Sequence, residues 1–265
     1  MSDIRVILNG VTGRMGTAVL SEMKLINGIA LYAGLYKKEE GQLPHEEKIF
    51  VEYDTVFQYL KETGVRPLQL ADVIIDFSVP QAVIPLLREA QLPAVVGVTG
   101  FSEKQLREIG EISKEIPIVQ DYNFSTGVCI MTAVTEMIAQ KLGVGYDVDI
   151  LEAHHGMKVD APSGTAIKLA KAVTKGRGQD YDEVVRMERV GKIGPRTQGE
   201  IGIQALRLAG VVGEHTVYFG GPNERLELTH KAGSRAVFAQ GAVAAAKWVV
   251  NQRPGLYTMR DVLGL

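Results

Sequence analysis

Residues Ile4 to Gly16 read I-R-V-I-L-N-G-V-T-G-R-M-G: an apolar run to Leu8, then glycines at 10, 13 and 16. A helical pattern follows through Met15, Val19, Leu20 and Met23. Strand, glycine turn and helix in that order form the context in which a phosphate-binding fingerprint carries meaning. Glycines permit the tight turn and let the main chain approach a pyrophosphate lying on the helix N-terminus. The spacing is G-x-x-G-x-x-G, not the commoner G-x-G-x-x-G, and the plainer alternative is a glycine-rich turn between packed elements. Placed after the first strand, it predicts nucleotide binding.

Working outward, a second strand is predicted over Ala30 to Leu35. In dinucleotide sites that use NAD, an acid at this strand end bonds the ribose. Here Tyr36 stands in that place and Lys37 and Lys38 follow. A missing carboxylate removes repulsion toward a 2′-phosphate and the lysines add attraction, so NADPH should be accepted at least as well as NADH. The alternative is a solvated charge run. Strands are predicted at Asp72–Phe77, Ala94–Val98 and Ile116–Val119, with helices at 80–91 and from Ser102 to about Glu115. Ser102 with Gln105 is a capping box. Asp54–Thr63 reads as a short helix, while Lys37–Tyr53 is irregular. Repeated β-α-β with short loops predicts a doubly wound parallel sheet of Rossmann type, with ligands beyond the carboxyl ends of its strands. Gly97–Gly100 and Asp121–Ser125 fall at such ends.

The second half changes character. A long apolar helix is expected from Val128 to Leu142, then a strand over Asp147–Ala153. Strands at 184–190, 201–208, 216–219 and 226–230 lack intervening helices, which predicts an antiparallel or mixed sheet. A sheet so thinly covered needs a partner on its other face. Sheet-on-sheet pairing in a homo-oligomer is therefore expected. The 191–199 loop is glycine-rich, and an alanine-rich helix spans 234–250. The predicted division is a dinucleotide-binding domain, 1–125 with 236–265, and an α+β substrate-binding and oligomerisation domain, 126–235.

Between strand and helix in that second domain lies Glu152 to Ala166, E-A-H-H-G-M-K-V-D-A-P-S-G-T-A. Imidazoles at 154 and 155 can exchange protons near neutral pH, and Lys158 adds a cation. The turn at Pro162–Thr165 opens a helix over Ala166–Val173, whose free N–H groups and dipole form an anion site. Proton transfer and carboxylate capture are thus offered by one segment. Asp160 is expected to orient Lys158 or to cap the turn. No function is assigned to His45, His215 or His230, and the last two are expected to bond across the second sheet.

Composition narrows the class. The 265 residues are 46% hydrophobic and 23% charged, with a formal charge of -2, which makes no electrostatic case for nucleic acid or an anionic membrane. Cys129 is the only cysteine, so no internal disulfide or cysteine cage forms, and a reducing, cytoplasmic setting is expected. The start does not have the order of a signal peptide, and no apolar run is read as reaching the ~18 residues of a membrane helix.

The motif E-A-H-H-x-x-K-x-D-A-P-S-G-T-A, together with G-x-x-G-R-M-G, resembles the 4-hydroxy-tetrahydrodipicolinate (dihydrodipicolinate) reductases. G-V-T-G at 97–100, N-F-S-T-G at 123–127, V-G-E-H-T at 212–216 and R-L-E-L-T-H-K-A at 225–232 extend the resemblance in order over nearly the whole chain. It implies hydride transfer from NADPH and/or NADH to an unsaturated cyclic imine carrying two carboxylates, in lysine and diaminopimelate biosynthesis. His154 then matches the proton donor and Lys158 its catalytic partner. His155, Ser163, Gly164 and Thr165 match substrate-binding positions. Gly10, Val11, Thr12, Gly13, Arg14 and Met15 match the pyrophosphate turn, and Tyr36 and Lys37 the ribose-reading positions. Gly97, Val98 and Thr99, with Asp121, Tyr122, Asn123 and Phe124, match the nicotinamide side. Two departures stand out: no acid at 36, and Asp121-Tyr122 where smaller residues are frequent. Three rivals are a dehydrogenase of another carboxylated imine or aldehyde, a zinc site at the paired histidines, and a nucleotide sensor without activity. Adjacent histidines rarely face one ion and no third ligand is suitably spaced, so no metal is expected.

Overall fold

The computed structural model describes residues 3–36, 50–52 and 67–265. Lys37, Lys38, His45 and the helix expected at 54–63 lie outside the described residues. The chain divides into two compact units, Met1–Thr126 with Arg235–Leu265, and Gly127–Ser234.

The first unit holds a seven-stranded sheet, every pair parallel. Its strands are β1 (Ile4–Asn9), β2 (Ile29–Tyr36), β3 (Phe50–Glu52), β4 (Val73–Asp76), β5 (Ala94–Val96), β6 (Pro117–Gln120) and β12 (Gly255–Tyr257). Read from one edge, the order is 3-2-1-4-5-6 with β12 added beyond β6, the doubly wound arrangement expected for dinucleotide sites. Strand β3 falls in a stretch whose pattern reads as irregular. All four residues of β4 and the last four of β1 are buried, as a strand covered on both faces requires. Ile7, Ile74, Val96 and Ile118 pack with Val83, Leu86 and Leu87 of α2 (Pro80–Ala90) and Ile109 of α3 (Glu103–Ile112). The Ser102–Gln105 capping box is present, with Gln105 N–H donating to Ser102 Oγ and Ser102 N–H to Gln105 Oε1. Helices α1 (Arg14–Met23) and α7 (Ala236–Val249) pack on each other, and α7 also lies over β4, β5 and β6.

The second unit is a five-stranded mixed sheet, β11-β10-β7-β9-β8. Here β7 is Asp147–His154, β8 Val185–Arg186, β9 Ile201–Arg207, β10 Gly213–Gly220 and β11 Arg225–Ala232. Pairs β7–β10 and β10–β11 are antiparallel, while β7–β9 and β8–β9 are parallel. One face is covered by α4 (Thr126–Leu142) and α5 (Gly164–Arg177), through Met131, Ala139, Leu169, Ala170 and Val173 against Val148, Ile150, Ile203, Val217 and Phe219. The two helices cross closely, since a Cβ at Gly176 would lie 2.4 Å from the Glu136 carbonyl oxygen. Leu151, Gln204, Leu206, Thr216 and Tyr218, on the opposite face, are partly or fully exposed.

Two expectations are corrected here. The strand predicted over 184–190 shrinks to Val185–Arg186. A single helical turn, α6 (Tyr181–Val184), precedes it, and Arg189 turns away to bond Asp149 and Glu200. Thr126–Gly145 is also long and apolar enough to cross a membrane by length and composition, contrary to the expectation that no apolar run reaches that length. Its buried stripe, Val128, Met131, Thr132, Thr135 and Ala139, instead marks a core helix.

Candidate active site

Strand β7 alternates, so Val148, Ile150, Glu152 and His154 point to the helix-covered face. The first two fill the core. Glu152 continues the row as a carboxylate whose side chain is fully buried, a placement that demands partners. It has four bonds from three groups. His154 Nδ1 lies 2.5 Å from its Oε2. Arg207 Nη1 and Nη2 donate to Oε2 and Oε1 at 3.0 and 3.1 Å. The Ser163 N–H donates to Oε1 at 3.1 Å. Sheet register explains the convergence: His154 pairs with Arg207 across β7–β9, and Glu152 with His215 across β7–β10.

The loop after β7 closes over this base. Leu208 N–H donates to the His154 carbonyl at 2.7 Å, and Lys158 N–H to the His155 carbonyl at 3.1 Å. Lys158 Nζ pairs with Asp160 at 2.8 Å, the orienting role expected of Asp160, and Arg207 Nη2 also holds the Asp160 carbonyl at 2.6 Å. Ser163 caps α5, its Oγ accepting from Ala166 N–H at 3.2 Å. The same Oγ lies 3.0 Å from His215 Nε2. Ser163 is therefore buried with its N–H and hydroxyl both engaged inside the protein, and the main chain at Gly164 and Thr165 forms the first turn of α5. His155 is partly exposed. His215 bonds to the helix start, not across the sheet as expected, and its ring meets that of His154 edge-on at 5.2 Å.

Electrostatics follow from burial and charge. Burial pushes His154 below the ordinary imidazole range; Glu152 works against this, and Lys158 and Arg207 work with it. Repulsion from Lys158, the cause read from the sequence, is thus the lesser one. Burial alone would raise the Glu152 carboxyl, but its bonds from Arg207 and His154 outweigh that and hold it below the carboxylate range. The Lys158 bond lowers Asp160. His215 is pushed down to about 3 by burial, then by the nearby His154, and is neutral at neutral pH.

In the first unit the expected cofactor residues that fall among the described residues lie at carboxyl ends of strands: 10–15 after β1, Tyr36 closing β2, 97–99 after β5 and 121–124 after β6. Gly10 has φ +77°, and its N–H and that of Val11 both donate to the Leu35 carbonyl at 3.0 and 3.1 Å. A Cβ at Gly16 would stand 2.1 Å from the Gly10 oxygen, so helix and turn touch main chain to main chain. The first turn of α1 carries no acid and no side-chain cap. Unfilled N–H donors behind a glycine cradle fit a pyrophosphate.

The neighbouring loops are held from below. Buried Asp76 accepts from Asn9 Nδ2 at 2.9 Å and from Ser78 N–H and Oγ at 2.9 and 2.6 Å, and burial raises its carboxyl despite those donors. Gly97 lies against Phe77, where a Cβ would come within 2.1 Å of the ring. Asp121 accepts from Tyr122, Asn123 and Met259 N–H groups, so it ties its own loop to α8 (Met259–Leu263). Val98 and Phe124 are buried, while Arg14, Thr99 and Tyr122 are exposed.

Sequence reasoning places Glu152 in the motif but gives it no role, and misses Arg207 and His215 as parts of the site and Asn9, Asp76 and Ser78 as supports of the turn. Glu152 had a signal, being a carboxylate in phase with two core residues. Arg207 and His215 reach the site only through strand register.

The chain is matched by the family profile described as dihydrodipicolinate reductase, N-terminus, over residues 4–124, and by dihydrodipicolinate reductase, C-terminus, over 127–263. It is 42% identical over 264 residues to the 4-hydroxy-tetrahydrodipicolinate reductase of Syntrophus aciditrophicus (strain SB), covering 98% of each chain. It is 42% identical over 273 residues to that of Thiobacillus denitrificans (strain ATCC 25259 / T1), covering 99% of each. Among solved structures, dipicolinate-bound dihydrodipicolinate reductase from Paenisporosarcina sp. TG-14 shares the fold, with TM-score 0.74 and 24% identity over 97% of each chain. On the profiles that span both units and the relatives that match end to end, the chain belongs to the dihydrodipicolinate reductase family.

Proposed function

We infer that the protein reduces 4-hydroxy-tetrahydrodipicolinate to tetrahydrodipicolinate in lysine and diaminopimelate biosynthesis. The observation that carries this reading is the buried Glu152–His154 pair, beside Lys158 and the start of α5. A reduced pyridine nucleotide, when bound, supplies the hydride. Gly10 to Met15 and the first turn of α1 would hold its pyrophosphate, and the 97–99 and 121–124 loops its nicotinamide end. His154 donates the proton that completes the reduction, since electron density left on a conjugated imine must be quenched by an acid. Lys158 and the main chain of Gly164 and Thr165 hold the two substrate carboxylates, with His155 beside them. Those carboxylates also raise the imidazole toward its charged form, offsetting burial. Lys158 cannot stay wholly committed to Asp160: the exposed Asp160 carboxylate gives it up to the substrate.

NADPH is the cofactor accepted at least as well, since β2 closes on Tyr36 with no carboxylate in its last turn of chain. The part-exposed face of the second sheet supports pairing with further copies of the chain, the resemblance to the family implies that the assembly is a homotetramer, and the single, buried Cys129 suits the reducing cytoplasm. Absorbance at the nicotinamide band, with freshly made substrate, tests the reading. Loss of absorbance on adding substrate is expected with NADPH and with NADH. No loss with either cofactor, in protein that binds them, would leave a sensor and not an enzyme.

A further inference from the structure

His154 is held by the Glu152–Arg207 ion pair, whose effect on the ring goes beyond the proton-donor role itself. Glu152 is fully buried, and it meets the imidazole at Nδ1 while Arg207 grips both of its oxygens. The other ring nitrogen, Nε2, points at Gly213, where an added Cβ would stand 3.1 Å from it. We propose that Glu152 and Arg207 are opposed positioning residues: Glu152 fixes the ring proton on Nδ1 and favours the charged imidazole, Arg207 restrains that preference, and Gly213 keeps Nε2 clear as the donating atom. The proposal rests on His154 being the proton donor.

The chemistry is directional. An ionised carboxylate only accepts, so the nitrogen facing it carries a hydrogen in both charge states. The transferable proton must then sit on Nε2. With Arg207 binding it by two parallel bonds, Glu152 stays ionised in a dry setting. Other groups facing the imidazole are Lys158 with its partner Asp160 in the following loop, and neutral His215 on β10. None of them contacts Nδ1 in place of Glu152.

Two substitutions should move the ring in opposite directions. In Glu152→Gln the amide oxygen turns to Arg207 and its NH2 to Nδ1, so the neutral ring keeps its proton on Nε2 and the imidazolium is disfavoured. Arg207→Met leaves the carboxylate unopposed, and the imidazolium is favoured. Nitrogen-detected NMR titration of His154 in the cofactor-free protein reads this directly. The expected midpoint moves to lower pH in Glu152→Gln, with loss of the Nδ1–H form, and to higher pH in Arg207→Met. Arg207→Lys should restore most of the wild-type midpoint. The pH profile of kcat/KM should follow, its fall at rising pH displaced in the same senses, and Glu152→Gln should lose roughly tenfold or more of kcat near neutral pH.

Midpoints that stay put, or move together, would overturn the proposal even if both variants are slow. Should one variant fail to fold, the sign of the other's shift still decides. Opposed NMR shifts with an unmoved rate profile would uphold the positioning and overturn His154 as the donor.

Discussion

Two loop-to-helix junctions carry the ligand contacts proposed for this protein, and they are made from different material. At Gly10–Gly16 the site is main chain. Its glycines let helix and turn approach to where a Cβ would be 2.1 Å from a carbonyl, and the first turn of α1 has neither an acid nor a side-chain cap. At Asp160–Thr165 the site is side chain. Ser163 caps α5, and its surroundings are Glu152, His154, Arg207 and His215 drawn from three strands. A main-chain site binds a group common to many cofactors and tolerates no added bulk. A side-chain site does chemistry, and tolerates substitutions that keep fold and lose turnover.

Substitutions at the two junctions should therefore fail differently. The largest effect is expected from Gly16→Val, which drives a branched side chain into the Gly10 main chain. Cofactor binding by fluorescence titration should vanish, with about 1–3 kcal/mol lost from the first unit through overpacking. A variant that binds normally would show that the turn is not the pyrophosphate site. Lys158→Ala comes next: kcat/KM should fall roughly 10- to 100-fold through loss of one charged bond to substrate, while cofactor affinity holds. If cofactor affinity falls with it, the division of labour between the junctions is wrong.

The smallest effect is one of stability. His215 has its folded value near 3 against an ordinary 6.5, so between those limits the unfolded chain binds the extra proton. Stability from burying it neutral is complete above about 6.5 and is lost as pH falls toward 3. His154 and His230, also lowered, add to the same slope. Urea midpoints for the second unit should drop from neutral to about pH 5, and drop less in His215→Asn. Equal drops would mean that His215 is not the buried group responsible.

The same contrast explains what could be read before folding. The strand–glycine–helix order, the Ser102–Gln105 box and the β-α-β alternation are local, and their physics is complete within a dozen residues. The His154–Thr165 segment was legible for the same reason, as its proton donor, cation and helix start are contiguous. Arg207 lies 55 positions from Glu152 and contacts it only because β7 and β9 pair in register. No periodicity announces such a partner. Strand β12 and helix α8, at Gly255–Tyr257 and Met259–Leu263, went unread because three and five residues are too short to display a repeat.

The most direct trial of the account compares wild type with His154→Gln at saturating cofactor, following nicotinamide absorbance after addition of freshly made substrate. Turnover slower by ~10²-fold or more is expected, with cofactor affinity unchanged because the glycine junction is untouched. Turnover at the wild-type rate would contradict it, and the proton would have to come from elsewhere.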